Sequence, residues 1–383
     1  MEFTTLAKNT TPLCFLPDGH LVCYRHGSVI VYEDGKEGRS YAFPMSKKER
    51  LLGRSRYASR LMRFGIRSAV ALDNEHVLLS QGNRIFELDL FSETISNGWL
   101  CGDRIRPLIF TEVKDIEGIT DGIYFGGYLG NNEKKPVNVY HRTGVDQWEV
   151  VYTFQHGAIN HVHNIVSDPY RNCLWAFTGD FDEASAIWKI TDNFKKVERI
   201  VCNDQKYRGC VVYALPEGLL YATDAPFVDD YIYLLNPETL ETKELYPIHG
   251  SCIYGCQWKD KFVFSSTVEG DGRNMSILEW LFTRKRGAGI KDDKVHLYIG
   301  NLKEGFKEVF KQKKDFMPFY TFQFGVFKFP FGVNLSDKLY FQPIATKKHD
   351  IELLWGGVIY WILDSSHSNT VLCCHFNERR MAA

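Results

Sequence analysis

Residues 159–204 contain four short apolar runs separated by turn signals. The runs are HVHNIV, CLWAFTG, AIWKIT and KVERIV, and the first and third alternate between apolar and polar positions. Turn-forming residues stand between runs at 168–172 (DPYRN) and 191–193 (TDN). The pattern predicts a four-stranded antiparallel meander, which has two open edges and therefore favours repetition around a ring.

Comparable units recur along the chain at intervals of about 40 to 70 residues, the spacing expected of propeller blades. They cover residues 13–44, 66–99, 106–154, 159–204, 210–247, 253–310 and a less regular last unit from 321 to 363. The sequence therefore predicts an all-β fold, a β-propeller with seven four-stranded blades around a central channel. Six blades are the alternative, if the terminal strands share one blade. A strand within residues 12–32 is expected to close the ring by joining the last blade.

Two segments interrupt this rhythm within a single predicted domain of residues 1–383. Residues 46–65 place an apolar stripe on one side of a basic helix, which predicts an amphipathic helix packed on the rim. The stripe consists of Leu51, Leu52, Ser55, Ala58, Leu61 and Met62. This helix suits peripheral contact with a membrane or an acidic polymer, and a solvated helix face is the alternative. Residues 270–294 are predicted to form a loop insertion, which either lines an entrance or is an ordinary surface loop.

Composition narrows the possible functions. Apolar residues make up 44% of the 383-residue chain and the net charge is −1, which predicts a soluble globular protein and argues against nucleic-acid binding. No run resembles a signal peptide or a membrane span. The ten cysteines include no CxxC pair, so we expect free thiols and a cytoplasmic location. Nucleotide-binding loops, a GxSxG elbow and an HExxH zinc helix are absent from the sequence.

Candidate chemistry is concentrated at the ends of predicted strands. His161 and His163 are two residues apart on an inner strand, so both imidazoles point to the same face. Asp180 follows the next strand, and Asp224 takes the equivalent place in the following unit, near Arg208. These groups suit proton transfer or the binding of a divalent metal. The alternative is that the histidines hydrogen-bond backbone groups and plug the channel.

The run HVHNIVSDPY...LWAFTGDFDEASAIWKITDNFKKVERI resembles the sialidase-like propellers that carry BNR repeats, also called Asp boxes. The resemblance covers residues 104–224, and within the box only Asp192 stands in the expected place, since Phe194 and Val197 replace Gly and Trp. The resemblance implies a blade fold. It also implies, for a true sialidase, three arginines around a carboxylate and a Tyr, Glu and Asp at the bond. The candidate arginines are Arg67, Arg106 and Arg208, and the other candidates are Tyr128, Tyr254, Asp180, Asp224 and Glu269.

These observations predict a propeller that binds an acidic oligosaccharide or polysaccharide and cleaves a glycosidic bond, by hydrolysis or elimination, in a glycan or capsule pathway. His161, His163 and Asp180 are expected to act as acid, base or metal ligands. Arg106 and Arg208 are expected to clamp the substrate carboxylate. Additional substrate contacts are predicted for Tyr128, Asp224, Tyr254 and Glu269. The alternative function is a non-catalytic scaffold that presents its rims to a protein or polymer partner.

Overall fold

The computed structural model describes residues 1–357, and within that range the strands form seven small antiparallel sheets. In three of these sheets the strands pair strictly in sequence order, and three others contain four such strands and one additional short strand. The first strands of successive sheets contact one another, as His161–Asp168 contacts Gly209–Leu215 and the latter contacts Cys252–Trp258. The sheets are therefore the blades of a seven-bladed β-propeller, which confirms the predicted fold and blade number.

The first three blades come from the N-terminal part of the chain. Blade 1 contains Thr11–Phe15, Leu21–Arg25, Ser28–Glu33 and Lys36–Ala42. Blade 2 contains Ser68–Ala71, His76–Gln81, Arg84–Asp89, Thr94–Ile95 and Trp99–Leu100. Blade 3 contains Arg106–Pro107, Thr111–Val113, Gly122–Tyr128, Val137–Gly144 and Gln147–Phe154.

The next three blades follow without a change of topology. Blade 4 contains His161–Asp168, Cys173–Gly179, Ala186–Thr191 and Lys196–Cys202. Blade 5 contains Gly209–Leu215, Gly218–Thr223, Asp230–Leu235 and Thr242–Ile248. Blade 6 contains Cys252–Trp258, Lys261–Ser266, Lys294–Asn301 and Gly305–Lys313, with Val333–Asn334 added in parallel to its first strand. Single 3₁₀ turns, Asp182–Ala184 and Gln205–Tyr207, lie in the connections of blade 4.

The seventh blade combines both ends of the described chain. It contains Val326–Lys328, Leu339–Ile344, Glu352–Gly356 and, as its outer strand, Thr4–Lys8. The prediction that residues 12–32 close the ring was wrong, because those residues build blade 1 and the preceding segment supplies the closing strand. The predicted last unit extended to residue 363, and its final part lies outside the described residues.

The hydrophobic core lies between the blades. Cys173–Gly179 is buried along its whole length because neighbouring blades cover both of its faces. Trp175 and Phe177 pack toward blade 5, whereas Ala176 packs with Tyr124 of blade 3. This alternation of sides follows from the two-residue period of a strand.

Connections at one end of the ring form a helical layer. We call this end the upper face; it is where the first strands begin and the second strands end. Three short helices lie there and are named the helical cap: Arg56–Met62, Ile277–Phe282 and Phe319–Phe322, the last of which contacts both of the others. Lys47–Leu52 precedes them, and Ser46 and Glu49 close its first turn as a capping box.

The segment 46–65 differs from the predicted single helix. It forms two helices, and the residues expected to be buried remain largely outside, since Leu51, Leu61 and Met62 are 68%, 46% and 56% exposed. Arg60, which the helical pattern assigns to the polar side, is instead 1% exposed. The helix therefore docks through a buried ion pair, and its apolar side chains remain in solvent.

Two properties of the described residues bear on the compartment and the membrane. All eight cysteines within residues 1–357 are free thiols, and Cys202 alone among them is partly exposed. In that same range no helix combines the length and apolarity that a membrane crossing requires.

Candidate functional site

Two groups of side chains meet at the upper face, around the top of the channel. The first, named the histidine cluster, consists of His161, His163, Asp180, Arg208 and Asp224. The second, named the cationic cavity, is surrounded by Arg63, Arg67, Arg106 and Lys328. The propeller topology explains why both are here, since first strands begin and second strands end at this face.

The two imidazoles of the histidine cluster point at each other. The Nε2 atoms of His161 and His163 are 2.9 Å apart, and they lie 3.4 and 3.5 Å from Oδ1 of Asp180. The Nδ1 atom of His161 lies 2.8 Å from the carbonyl oxygen of Leu129, to which an Nδ1–H donates. His163 is 2% exposed, and burial lowers its pKa to about 4, so the imidazole is neutral near pH 7.

Gly179 allows this close arrangement. A Cβ atom at Gly179 would lie 2.3 Å from Cε1 of His163, a distance at which two carbon atoms overlap. Only glycine therefore leaves room for the imidazole against the end of Cys173–Gly179. The residue directly before Asp180 thus sets the position of His163.

Arg208 links two carboxylates. Its Nη2 atom lies 3.1 Å from Oδ1 of Asp180 and 3.4 Å from Oδ2 of Asp224. Burial acts to raise the pKa of Asp180, but the adjacent imidazoles of His161 and His163 and the charge of Arg208 hold that pKa far below its usual range. Asp180 is therefore ionised across the physiological pH range.

Asp224 and Glu269 have the opposite tendency. Burial raises the pKa of Asp224 to about 7 against the lowering by Arg208. Burial likewise raises the pKa of Glu269. The Sγ atom of Cys210 lies 3.5 Å from Oδ2 of Asp224 and donates to it. The cluster therefore contains an ionised carboxylate beside carboxyl groups whose pKa values burial raises, a separation found in acid–base sites.

The cationic cavity has a volume of about 330 Å³, and no aspartate or glutamate lines it. In the part of the chain that the structure describes, no carboxylate lies within ion-pair distance of Arg63, Arg67, Arg106 or Lys328. The Nε atom of Arg106 is buried without a hydrogen-bond partner, and Lys328 Nζ donates only to the carbonyl oxygen of Ile66, 2.9 Å away. The cavity therefore has unmatched positive charge.

Burial and mutual repulsion weaken these cations. Burial, followed by the charge of Arg67, lowers the pKa of Lys328 to about 7 and that of Arg106 to about 10. The same two causes lower the pKa of Arg63. An anion bound among them would raise each of these pKa values again.

Two tyrosines lie between the cavity and the histidine cluster. The guanidinium carbon of Arg106 lies 5.3 Å from the ring centre of Tyr128, and that ring centre lies 4.4 Å from the centre of the His161 imidazole. Tyr254 lines the cavity and experiences the charges of Arg63 and Arg67. The Tyr128 ring therefore lies between Arg106, at the edge of the cavity, and His161 of the histidine cluster.

The structure brings most of the predicted site residues together but changes their partners. Arg106 and Arg208, predicted to form one clamp, lie in different groups. Arg208 forms ion pairs with Asp180 and Asp224, whereas Arg106 lines the cationic cavity together with Arg67. Sequence reasoning missed Lys328, although a lone lysine within the apolar run FGVFKFPF was a signal that a charge is buried there.

Three groups of side chains in residues 1–357 have the donor atoms and spacing for a metal ion. Two share His163 and lie in the histidine cluster, with either His161 and Asp180 or Cys210 and Asp224 as the other donors. The third, on the outside of blades 5 and 6, consists of His249, Asp292 and His296. In the third group Glu308 already lies 2.7 Å from Nδ1 of His296.

Comparisons with known proteins establish the fold and no more. No protein-family model and no curated protein matches the chain. One similar structure is the extracellular domain of a protein named as a hybrid two-component system from B. thetaiotaomicron. It aligns with 92% of this chain, with a TM-score of 0.53 at 10% identity. This chain spans only 39% of that protein's length. The β-propeller domain of Cps50 (Swd1) from Myceliophteria thermophila aligns with 93% of this chain and over 98% of its own length, with a TM-score of 0.51 at 12% identity. By fold, the protein is a seven-bladed β-propeller.

Proposed function

We propose that the upper face binds an acidic oligosaccharide or polysaccharide and cleaves a glycosidic bond beside the bound acidic group. The observation that carries this proposal is the cationic cavity, which is lined by five basic residues and no acidic one, and four of the five have no ion-pair partner among the described residues. Partly buried charges without partners are unfavourable, and an anionic ligand removes that penalty. The cavity is therefore suited to a carboxylate, which arginines bind through paired hydrogen bonds.

The dimensions favour a sugar acid over a small inorganic ion. A cavity of about 330 Å³ is at the lower end of the range for organic ligands. Its polar lining includes the side chains of Thr11, Tyr254, Gln323 and Gln342, which are suited to hydroxyl groups. The sialidase-like resemblance points to the same ligand class, since it implies arginines around a sugar carboxylate.

The histidine cluster supplies the reactive groups. The Tyr128 ring lies between Arg106 and His161. We therefore expect a sugar whose carboxylate is bound in the cavity to place its neighbouring glycosidic bond near His161 and Asp180. Imidazole and carboxylate groups there transfer protons or hold a cation. Cations around a uronate carboxylate also stabilise the charge that forms when the neighbouring carbon loses its proton. We therefore expect elimination, with an unsaturated uronate as product.

Replacing the two unpaired arginines is expected to weaken binding of acidic sugars. We expect Arg67→Gln and Arg106→Gln each to raise the dissociation constant for a uronate oligosaccharide by roughly tenfold to a hundredfold, because each removes a charged hydrogen-bond donor. Calorimetric titration with the uronate oligosaccharide and its carboxyl-reduced counterpart measures this. Ultraviolet absorbance of the unsaturated product, and reducing-end formation, then separate elimination from hydrolysis.

Matched controls isolate the role of the cavity. Arg104→Gln changes the same residue type at an exposed position two residues from Arg106 and should leave binding unchanged. Wild-type affinity should fall as pH rises above 7, since Lys328 then loses its proton, and Lys328→Met should flatten that dependence. Equal affinity for the acidic and the carboxyl-reduced sugar would refute the proposal.

Peripheral membrane contact is a second candidate function of the same face. The helical cap exposes Ile277, Leu278 and Phe282 at 79%, 69% and 68%, on a helix with no buried residue. Basic residues flank this helix at Arg273, Arg284, Lys285 and Arg286. Exposed apolar side chains ringed by basic ones fit an anionic lipid surface. The contact expected from residues 46–65 would thus extend to residues 270–294.

Vesicle sedimentation tests this contact. We expect the protein to sediment with vesicles that contain anionic lipid and to remain in solution with neutral vesicles. Replacing Ile277 and Phe282 by Glu should remove the binding, because charged side chains do not enter the lipid interface. The control is Phe91→Glu, because Phe91 is exposed but lies at the end of blade 2 that is opposite the upper face. Binding that persists in the Ile277 and Phe282 variant would exclude the helical cap as the contact.

A further inference from the structure

Three donor atoms of the histidine cluster form a compact triangle. The edges are 2.9 Å between the Nε2 atoms of His161 and His163, and 3.4 and 3.5 Å from these atoms to Oδ1 of Asp180. A metal bound at about 2.0 to 2.2 Å from each ligand separates neighbouring donor atoms by roughly 2.9 to 3.5 Å. The triangle therefore has the size of one face of a coordination polyhedron.

Hydrogen bonds orient two of the three ligand residues, His161 and Asp180, whereas Nδ1 of His163 is buried without a hydrogen-bond partner. The Nδ1–H of His161 donates to the carbonyl oxygen of Leu129 at 2.8 Å, which leaves the Nε2 lone pair directed at the triangle. A hydrogen bond from the second ring nitrogen to a carbonyl is the usual support of a metal-binding histidine. The backbone of Asp180 is held by Asn160, whose Oδ1 accepts from the Asp180 N–H at 2.9 Å. Gln205 donates to the Asp180 carbonyl oxygen at 2.9 Å.

The acidic groups around the triangle share one cation. Asp180, Asp224 and Glu269 all interact with the single guanidinium of Arg208. A divalent cation among these side chains would add positive charge at a site with few water contacts.

We propose that His161, His163 and Asp180 bind a divalent transition metal ion. Two imidazoles and one carboxylate suit zinc or manganese better than calcium or magnesium, which prefer oxygen ligands alone. Three protein ligands leave at least one position for water or for a substrate oxygen, as in catalytic zinc sites. Metal binding rests on the protein residues alone, and only its use in cleavage rests on the proposed function.

Metal binding is measured on the whole chain without any sugar. The protein is stripped with chelator and titrated with Zn²⁺ or Mn²⁺ alone, by calorimetry and by metal analysis after gel filtration. We expect this site to bind one ion tightly. Its affinity should fall at least about a hundredfold in each of His161→Gln, His163→Gln and Asp180→Asn. Loss of a ligand should cost more affinity than loss of a hydrogen-bond partner that only orients a ligand. Thermal melting of each stripped variant confirms that it is folded.

The other donor groups provide the controls. His249→Gln/His296→Gln removes the third group, which is partly buried, and should leave the tight site unchanged, although it removes any weaker second ion. Cys210→Ser tests the other donor set around His163 and should also leave it unchanged. Tight binding that survives Asp180→Asn, or that is lost in either control, would overturn the assignment.

A spectroscopic measurement tests the proposal even if some of these variants fold poorly. Co²⁺ added to the stripped wild type should give visible absorption of low-coordinate cobalt, and Asp180→Asn, which keeps the side-chain shape, should change it. An unchanged spectrum would exclude Asp180 as a ligand. A protein that binds the ion tightly but cleaves no acidic sugar would leave this inference intact and refute only the proposed function.

Discussion

Removing residues 1–8 is expected to leave a protein that no longer melts cooperatively and that accumulates in the insoluble fraction. The deleted segment contains Thr4–Lys8, the outer strand of blade 7. Thr4 pairs with Trp355 and Lys8 with Glu352 in an antiparallel ladder. This strand joins the two ends of the described ring, so its loss opens the propeller at one seam.

The exposed surfaces explain why the effect should be large. Without Thr4–Lys8, the strand Glu352–Gly356 becomes an unpaired edge, and such edges favour association with other chains. The deletion also removes Phe3, whose ring centre lies 5.0 Å from that of Phe310 and 4.8 Å from that of Phe341. Both partners belong to the core between blades 6 and 7.

Solubility, size-exclusion chromatography and thermal melting of the truncated chain measure the effect. Thr4→Ala/Lys8→Ala is the matched control, because it changes two exposed side chains and keeps the backbone ladder. A truncated chain that is soluble and melts as sharply as the intact protein would show that the ring closes without this strand.

Six blades could be predicted from the sequence because their strands are consecutive and carry their own turns. The apolar units therefore fell close to the observed strands in blades 1 to 6. The seventh blade could not be predicted in the same way. Its closing strand has the sequence TTLAK, which is mostly exposed and shows no apolar alternation. This segment becomes a strand only because the ring closes there, and ring closure is a property of the whole chain.

The candidate site, like the fold, could be predicted from the sequence only in part. Topology places the ends of equivalent strands at one face, so the common location of His161, His163, Asp180 and Asp224 followed from their positions in the repeat. Ion-pair partners did not follow, because they depend on distances across blades. Arg208 was expected to bind substrate, yet two carboxylates occupy it. The four unpaired cations of the cationic cavity come from three separate parts of the chain, and no sequence pattern connects them.

Replacing Arg60 by Met is expected to destabilise the fold by about 3 to 5 kcal/mol, the usual cost of removing one partner of a buried ion pair. Nη1 of Arg60 contacts Asp315 and lies 3.0 Å from Oδ2 of Asp350, and its Nε donates to the carbonyl oxygen of Phe322 at 2.9 Å. The guanidinium therefore fixes the helix Arg56–Met62 to the segments before and within blade 7. Methionine fills similar volume but leaves Asp350 without its cation and Asp315 with Lys314 alone.

The pH dependence distinguishes lost charge pairing from lost packing. Burial acts to raise the pKa of Asp315, but Arg60 and Lys314 hold it below its usual value. The ionised Asp315 therefore contributes to the unfolding free energy of the wild type at neutral pH. That contribution is lost as the pH falls through the lowered pKa of Asp315. In Arg60→Met the carboxyl groups take up protons more readily, so the difference in unfolding free energy between the two proteins should shrink on acidification.

Denaturant unfolding of a mutant cycle measures the contribution of the ion pair. Arg56→Met, on the same helix but exposed, should change the unfolding free energy by less than about 1 kcal/mol. Adding Asp315→Asn and Asp350→Asn to Arg60→Met should recover much of the lost stability, because the amides carry no charge that needs a partner. If these additions give no recovery, or if the loss is the same at acid and neutral pH, then packing of the Arg60 side chain and not its charge attaches the helical cap to the propeller.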